Sequence, residues 1–214
     1  QLFGQASLTH RGTFYRFVKV ALLPRPVQHP CPIWIASNPT ALTWKGGASA
    51  SSGAVERGLR RLARHALAWM TNKLSPEESR RQFGIIQGMA REEGRDPAAL
   101  GSALYHNINV NEDRQAALEQ SKAFLDAYYT AKFSPEFVEQ WTVAGGPREC
   151  AAQLRAYFAA GLGHMALRLA SWDQAGQLAR FLGEVAPALC DPRSRSKGDP
   201  LDEGGAGPVP RARA

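Results

Sequence analysis

The sequence predicts an α/β protein built on a parallel sheet with helical cover, and three observations carry that expectation. Short apolar runs recur at 33–36, 67–71, 103–110 and 164–169. Between them lie longer stretches with helical apolar spacing and helix-capping residues. The resulting order is strand, helix, strand, helix, strand, helix, helix, strand, helix, and strands that alternate with helices pair in parallel. Four such units are half of an eightfold barrel and equally a small open sheet; the pattern alone does not separate the two.

Residues 1–20 are mixed polar and aromatic around Gly12-Thr13-Phe14-Tyr15 and read as a loop or short hairpin. Pro24, Pro26, Pro30 and Pro32 each fix φ and remove a donor, so the segment that follows is extended. It leads into Ile33-Trp34-Ile35-Ala36, an apolar run suited to a strand buried on both faces. Ser37-Asn38-Pro39-Thr40 is a turn with three small polar side chains. Residues 46–53 consist only of Gly, Ala and Ser and read as a flexible surface insertion.

A helix is expected over about 54–66, with Leu59, Leu62, Ala63 and Ala66 on its apolar face. Arg57, Arg60, Arg61 and Arg64 form a basic stripe, either a solvated face or an attraction for phosphate. Leu67 to Thr71 is the second strand. Ser75-Pro76-Glu77-Glu78 starts a helix, with Ser75 as N-cap and Pro76 at its first position, and Gly94 ends it. Residues 103–110 form the third strand, and Asn111-Glu112-Asp113 opens a helix to about Tyr129. Pro135 to Thr142 reads as a short helix or irregular piece. Gly146-Pro147 opens a helix that Gly161 closes, residues 164–169 make the fourth strand, and a last helix ends near Val185-Ala186-Pro187. From Asp191 onward large apolar residues are almost absent, so a disordered tail is expected over 191–214. The expected organisation is an extended lead-in over 1–32, a folded unit over 33–190, and that tail.

The composition is that of a soluble globular domain, 44% apolar and 21% charged in 214 residues. No apolar stretch reaches the ~18 residues of a membrane span. The chain begins with Gln1 and lacks a signal-peptide pattern, which favours a fragment of something longer. Cys31, Cys150 and Cys190 are odd in number and widely spaced, which argues against a disulfide framework or a metal site and for a cytoplasmic protein. Most of the net charge of +7 lies before residue 74, where ten Arg and Lys residues face only Glu56. Such a balance can mean nucleic acid, and equally an anionic cofactor or no charged partner at all. The interleaved aromatics and motifs of nucleic-acid binders are missing, so nucleic acid is the weaker expectation.

At this level the residues resemble a known family. Gly12-Thr-Phe-Tyr through Leu23-Pro-Arg-Pro-Val-Gln28, followed by Pro30-Cys-Pro-Ile-Trp-Ile-Ala-Ser-Asn-Pro39, is similar to the bacterial-luciferase-like flavin-dependent monooxygenases. So are Asn109 to Ala117, Gly146-Pro147-Arg148-Glu149, Ala160 to His164, and Gln177 to Pro187, in order over residues 10–188. The resemblance implies a TIM-type (β/α)8 barrel represented by about its last four β/α units, strands five to eight. Three departures stand out: Leu67-Ala68 where the family often has Asp-Gly, the 46–53 insertion, and a tail after Cys190 without a family counterpart.

Active sites of such barrels lie at the C-terminal ends of the strands. On that rule the candidates are Ser37, Asn38 and Thr40; Thr71 and Asn72; Asn109 and Asn111; and Arg168, Ser171 and Trp172. The resemblance implies that Ser37, Asn38 and Thr40 help hold a flavin phosphate and that Thr71 and Asn72 lie near the isoalloxazine ring. Hydroxyls, amides and helix-start N–H groups suit an anion, and the same groups also serve as ordinary caps. His106 and His164 are the candidates for proton transfer, although a lone histidine in a strand is more often structural. Trp34, Trp69 and Trp172 are candidates for ring stacking or for the core. The implied chemistry is oxidation of a small organic substrate by reduced FMN, supplied by a flavin reductase, and O2. Some relatives instead use a deazaflavin and transfer hydride. The alternative is a non-catalytic half barrel that forms a homo-oligomer or pairs with another chain through its open edges.

Overall fold

The computed structural model describes residues 3–28, 31–38 and 52–190. Thr40, most of the 46–53 insertion and the 191–214 tail lie outside the described residues. The N-terminal segment forms the short hairpin, β1 (Leu8–Arg11) antiparallel to β2 (Arg16–Val20).

Five strands then build one parallel sheet: β3 (Trp34–Ala36), β4 (Ala68–Asn72), β5 (Gly101–Val110), β6 (Thr142–Gly145) and β7 (His164–Leu169). The expectation was four. The additional strand, β6, arises at Thr142-Val-Ala-Gly145, the end of the stretch read as a short helix or irregular piece; only α4 (Pro135–Gln140) of that stretch is helical. All four β6 residues are buried, and a strand so short leaves no readable alternation.

Backbone parity shows where β6 sits. Gly101, Asn107 and Asn111 donate to Leu67, Trp141 and Gly145, all from one edge of β5, whereas Ile108 accepts from Ala170 on the other. Thus β4 and β6 lie end to end along one edge of β5, and β7 covers the opposite edge. The sheet reads β3, β4, β5, β7 across, with no reversal of strand order. A doubly wound sheet needs such a reversal, and a barrel wall does not.

The helices obey local signals. In α1 (Ser52–His65), Leu59, Leu62 and Ala63 are buried as expected, as is Ala66 just beyond it. Two of the four residues of the basic stripe, Arg60 and Arg64, pair with α2 (Pro76–Glu92) and its C-cap. Arg60 pairs with Glu56 and Glu92 at 3.0 and 3.1 Å, and Arg64 forks onto Glu93 at 2.8 and 2.9 Å. Ser75 caps α2, its Oγ accepting from the Glu78 N–H at 3.1 Å. Gly94 ends it with φ +72°, a conformation that a side chain would strain. Asp113 caps α3 (Arg114–Tyr128) through Gln115 N and Ala116 N. Gly161, at φ +91°, turns the chain out of α5 (Pro147–Ala159). The last helix does not stop near Pro187. After α6 (Gln174–Arg180) a single π turn, Phe181–Val185, carries it into α7 (Ala186–Cys190). Pro187 has no N–H to continue the helical ladder, and the π turn lies directly before it, where the ladder is already irregular.

β5 separates two environments. Leu104 packs against α1, α2 and α5, while Ile108 and Val110 pack against α5 and the C-terminal helix. Tyr105, Asn107 and Asn109 face the other way, toward α3, α4 and the end of β7. There Phe124, Leu125, Phe133, Val138 and Ala170 form a third cluster.

Candidate functional site

The C-terminal ends of β3 and β4 are tied together by one side chain. Asn38 Oδ1 accepts from Thr71 Oγ1 at 2.8 Å and from the Asn72 N–H at 3.2 Å. The ladder continues one residue beyond β3, since the Ser37 N–H donates to Met70 O. The Ser37 carbonyl in turn accepts from the Trp69 indole at 2.7 Å. Ala36, Ser37, Asn38, Met70, Thr71, Asn72 and Tyr105 line a cavity of about 260 Å3 at this end of the sheet. Four of the five cofactor-binding candidates therefore converge, and Thr40 is the one outside the described residues.

The cavity wall carries unspent hydrogen-bonding capacity. Asn72 Oδ1 and the Tyr105 hydroxyl are buried without a hydrogen-bond partner. Burial and the neighbouring Tyr129 hydroxyl hold the Tyr105 pKa well above the ordinary phenol value, so it remains a donor throughout the physiological range. Sequence reasoning missed Tyr105. The signal was present in the alternation of β5, where Tyr105, Asn107 and Asn109 interleave with Leu104, His106, Ile108 and Val110.

Neither histidine lines that cavity. His106 is 2% exposed, faces the helical layer with its ring 5.4 Å from that of Tyr157, and is held by burial at a pKa of about 4. It sits where the ladder breaks, since β4 pairs with β5 up to Tyr105 and β6 begins at Asn107. A second cavity of about 400 Å3 opens there, lined among others by His106, Lys73, Gln140, Thr142 and Tyr157. His164 opens β7, is exposed, and meets the edge of Trp34 at 5.2 Å.

The remaining candidates divide. Trp69 is core, stacked on Phe83. Trp172 is exposed and touches Phe124. Asn109 donates to Ala170 O, Asn111 closes a turn by accepting from the Asp113 N–H, and Ser171 does the same for Asp173. Arg168 points into a ring of tyrosines. Its guanidinium lies 4.1 Å from the centre of Tyr128, 5.1 Å from Tyr105 and 5.2 Å from Tyr129, and donates to the Tyr129 hydroxyl at 2.8 Å.

Comparison with known proteins gives one consistent picture. The family model for luciferase-like monooxygenases matches residues 48–164, more than half of the chain. Among curated proteins, the F420-dependent glucose-6-phosphate dehydrogenase of Intrasporangium calvum is 24% identical over 88% of this chain and 58% of its own length. That of Rhodococcus jostii is 23% identical over 83% and 54%. The chain thus spans a little over half the length of these relatives. Among solved structures, an F420-dependent secondary alcohol dehydrogenase holding an F420–acetone adduct aligns with a TM-score of 0.66 at 18% identity, over 89% of this chain and 58% of that one. The coenzyme F420-dependent tetrahydromethanopterin reductase of Methanopyrus kandleri gives 0.63 at 14%, over 88% and 60%. A long-chain alkane monooxygenase gives 0.55 at 18%, over 86% and 46%. At such identities these structures speak to the fold, and the fold they share is the barrel whose wall the β3–β4–β5–β7 order describes. The chain belongs to the luciferase-like monooxygenase family, of which it presents part of the barrel.

Proposed function

We propose that this chain is the part of a redox enzyme that holds one edge of a flavin-type cofactor at the C-terminal ends of β3 and β4, and that the cofactor is a deazaflavin rather than FMN. The observation that carries the reading is the pairing of an unspent acceptor, Asn72 Oδ1, with an unspent donor, the Tyr105 hydroxyl, beside the Asn38–Thr71 turn. The polar edge of a flavin ring presents alternating N–H and C=O groups, which such a pair complements. Asn38 spends its carbonyl oxygen on Thr71 and Asn72, which leaves its amide N–H groups, with Ser37 and Thr40, for a phosphate. The names of the curated relatives favour the deazaflavin; FMN with O2 is supported by the more distant monooxygenases. When bound, the cofactor supplies two-electron oxidation or reduction of a small organic substrate. The chain's own residues bind and orient it, Thr71 by fixing Asn38 and Met70 by forming an apolar wall.

The test is a titration of the purified chain with coenzyme F420, FMN and reduced FMN, followed by absorbance and fluorescence. Saturable binding that is tightest for F420, and weakened at least tenfold by Asn38→Ala, is the expected result. Tighter binding of FMN would replace the deazaflavin by a flavin and restore the need for a reductase. No binding of any of the three would overturn the reading for this chain.

A second reading rests on the sheet edges. Among the described residues β3 and β7 each pair on one side only, and Ile33 and Trp34 are exposed. Pairing through those edges, with a second copy or another chain, would complete the wall. Sedimentation across a concentration range tests it, and a monomer at every concentration counts against self-pairing.

A further inference from the structure

We infer that the cavity of about 400 Å3 beside His106 is a binding site for a small neutral molecule with an apolar body and a hydroxyl group, separate from the cofactor site. The two cavities share no lining residue, so the inference does not depend on which cofactor the chain holds. This one opens where the edge of β5 passes from β4, which pairs up to Tyr105, to β6, which begins at Asn107. Its size falls at the small end of ligand pockets, which run from about 300 to 1,000 Å3.

Its polar wall is neutral and partly unspent. His106 lines it, is 2% exposed, and has an Nδ1 without a hydrogen-bond partner. Burial holds the His106 pKa at about 4, so at physiological pH one ring nitrogen donates and the other accepts. Tyr157 meets it with its ring and spends its hydroxyl proton on Leu74 O at 2.9 Å. On α5, Gln153 donates its amide to Ala144 O at 2.8 Å, which leaves Oε1 as an acceptor. A buried nitrogen without a partner costs free energy, so a ligand that supplies one is favoured. A hydroxyl both donates and accepts, so it serves the imidazole in either tautomer, and Gln153 Oε1 is a second acceptor for its proton. Pro76, Val143, Ala156 and the Tyr157 ring offer apolar surface to the rest of the molecule. The charges at the rim are engaged elsewhere. Lys73 Nζ donates to Gln140 at 3.3 Å and lies over the Phe137 ring, and Glu139 pairs with Arg114 at 3.2 Å. A neutral ligand is therefore favoured over an anion.

The test uses no flavin, so it stands apart from the cofactor titration. Benzyl alcohol is titrated into the purified chain, with the ring nitrogen resonances of His106 as readout. Benzyl methyl ether, which lacks the donor, and benzoate, which carries a charge, are the controls. A saturable shift with benzyl alcohol is expected, with affinity at least tenfold weaker for either control. Gln153→Leu should weaken it about tenfold, the worth of one hydrogen bond. That variant leaves Ala144 O bonded, because Arg114 also donates to it at 2.8 Å. Ala156→Leu places a larger side chain in the cavity from the exposed side of α5 and should abolish the shift. Should Gln153→Leu fail to fold, Ala156→Leu and the two controls decide. No saturable shift, equal affinity for alcohol and ether, equal or tighter binding of benzoate, or affinity unchanged in either variant would overturn the assignment.

Discussion

Acidification from pH 7.5 to 5 should destabilise this chain through His106 alone, by about 2 kcal/mol. Its imidazole is 2% exposed against Tyr157, and burial lowers its pKa from 6.5 to about 4. The folded state therefore binds this proton less tightly than the unfolded chain. The sign follows: the stability is fully present above 6.5, declines by up to ~1.4 kcal/mol per pH unit below that, and is exhausted below about 4. The carboxylates with depressed pKa, among them Glu78, Glu93, Glu112 and Glu184, add their own losses only below about 4.5. Urea unfolding at pH 7.5, 6.5, 5.75 and 5 isolates the histidine window, and His106→Gln removes the titrating group while keeping a polar side chain. The variant should lose the pH slope between 6.5 and 5. A wild-type slope retained in His106→Gln would refute the assignment to His106 and the burial argument with it.

Three further outcomes follow from individual contacts. Asn38→Ala leaves the buried Thr71 hydroxyl without its acceptor and should cost about 1–3 kcal/mol, whereas Thr71→Val removes donor and need together and should cost less; urea midpoints of both variants and the double variant measure the coupling. Gln177 brackets the end of β5, accepting from Val110 N–H at 2.7 Å and donating to Val110 O at 3.1 Å. Gln177→Ala should therefore lose about 1–3 kcal/mol and accelerate hydrogen exchange at Val110. Ser75→Ala deletes the α2 cap and should lower stability by about 1 kcal/mol, seen as a lower thermal midpoint with an unchanged spectrum.

Much of this protein was determined by its sequence alone. Capping and apolar spacing are local, so Ser75, Gly94, Gly161 and the Leu59–Leu62–Ala63–Ala66 face could be read directly, as could four of the five parallel strands. That Ser37, Asn38, Thr71 and Asn72 would lie together could be read from their places just after two neighbouring parallel strands, and they do line one cavity. What required tertiary structure was everything set by pairing between distant segments. A four-residue strand such as β6 carries too little pattern to declare itself; it exists because β5 is longer than β4 and leaves an unpaired edge for it. That same mismatch opens the ladder at His106, while the alternation along β5 turns this histidine toward the helices, away from the strand-end cavity. The choice between an open sheet and a barrel wall lay in the order β3, β4, β5, β7, which no local signal encodes. The meeting of Arg168 with three tyrosines, two from the end of α3 and one from β5, likewise depends on register across the sheet, because residues dozens of positions apart approach only once the strands are aligned.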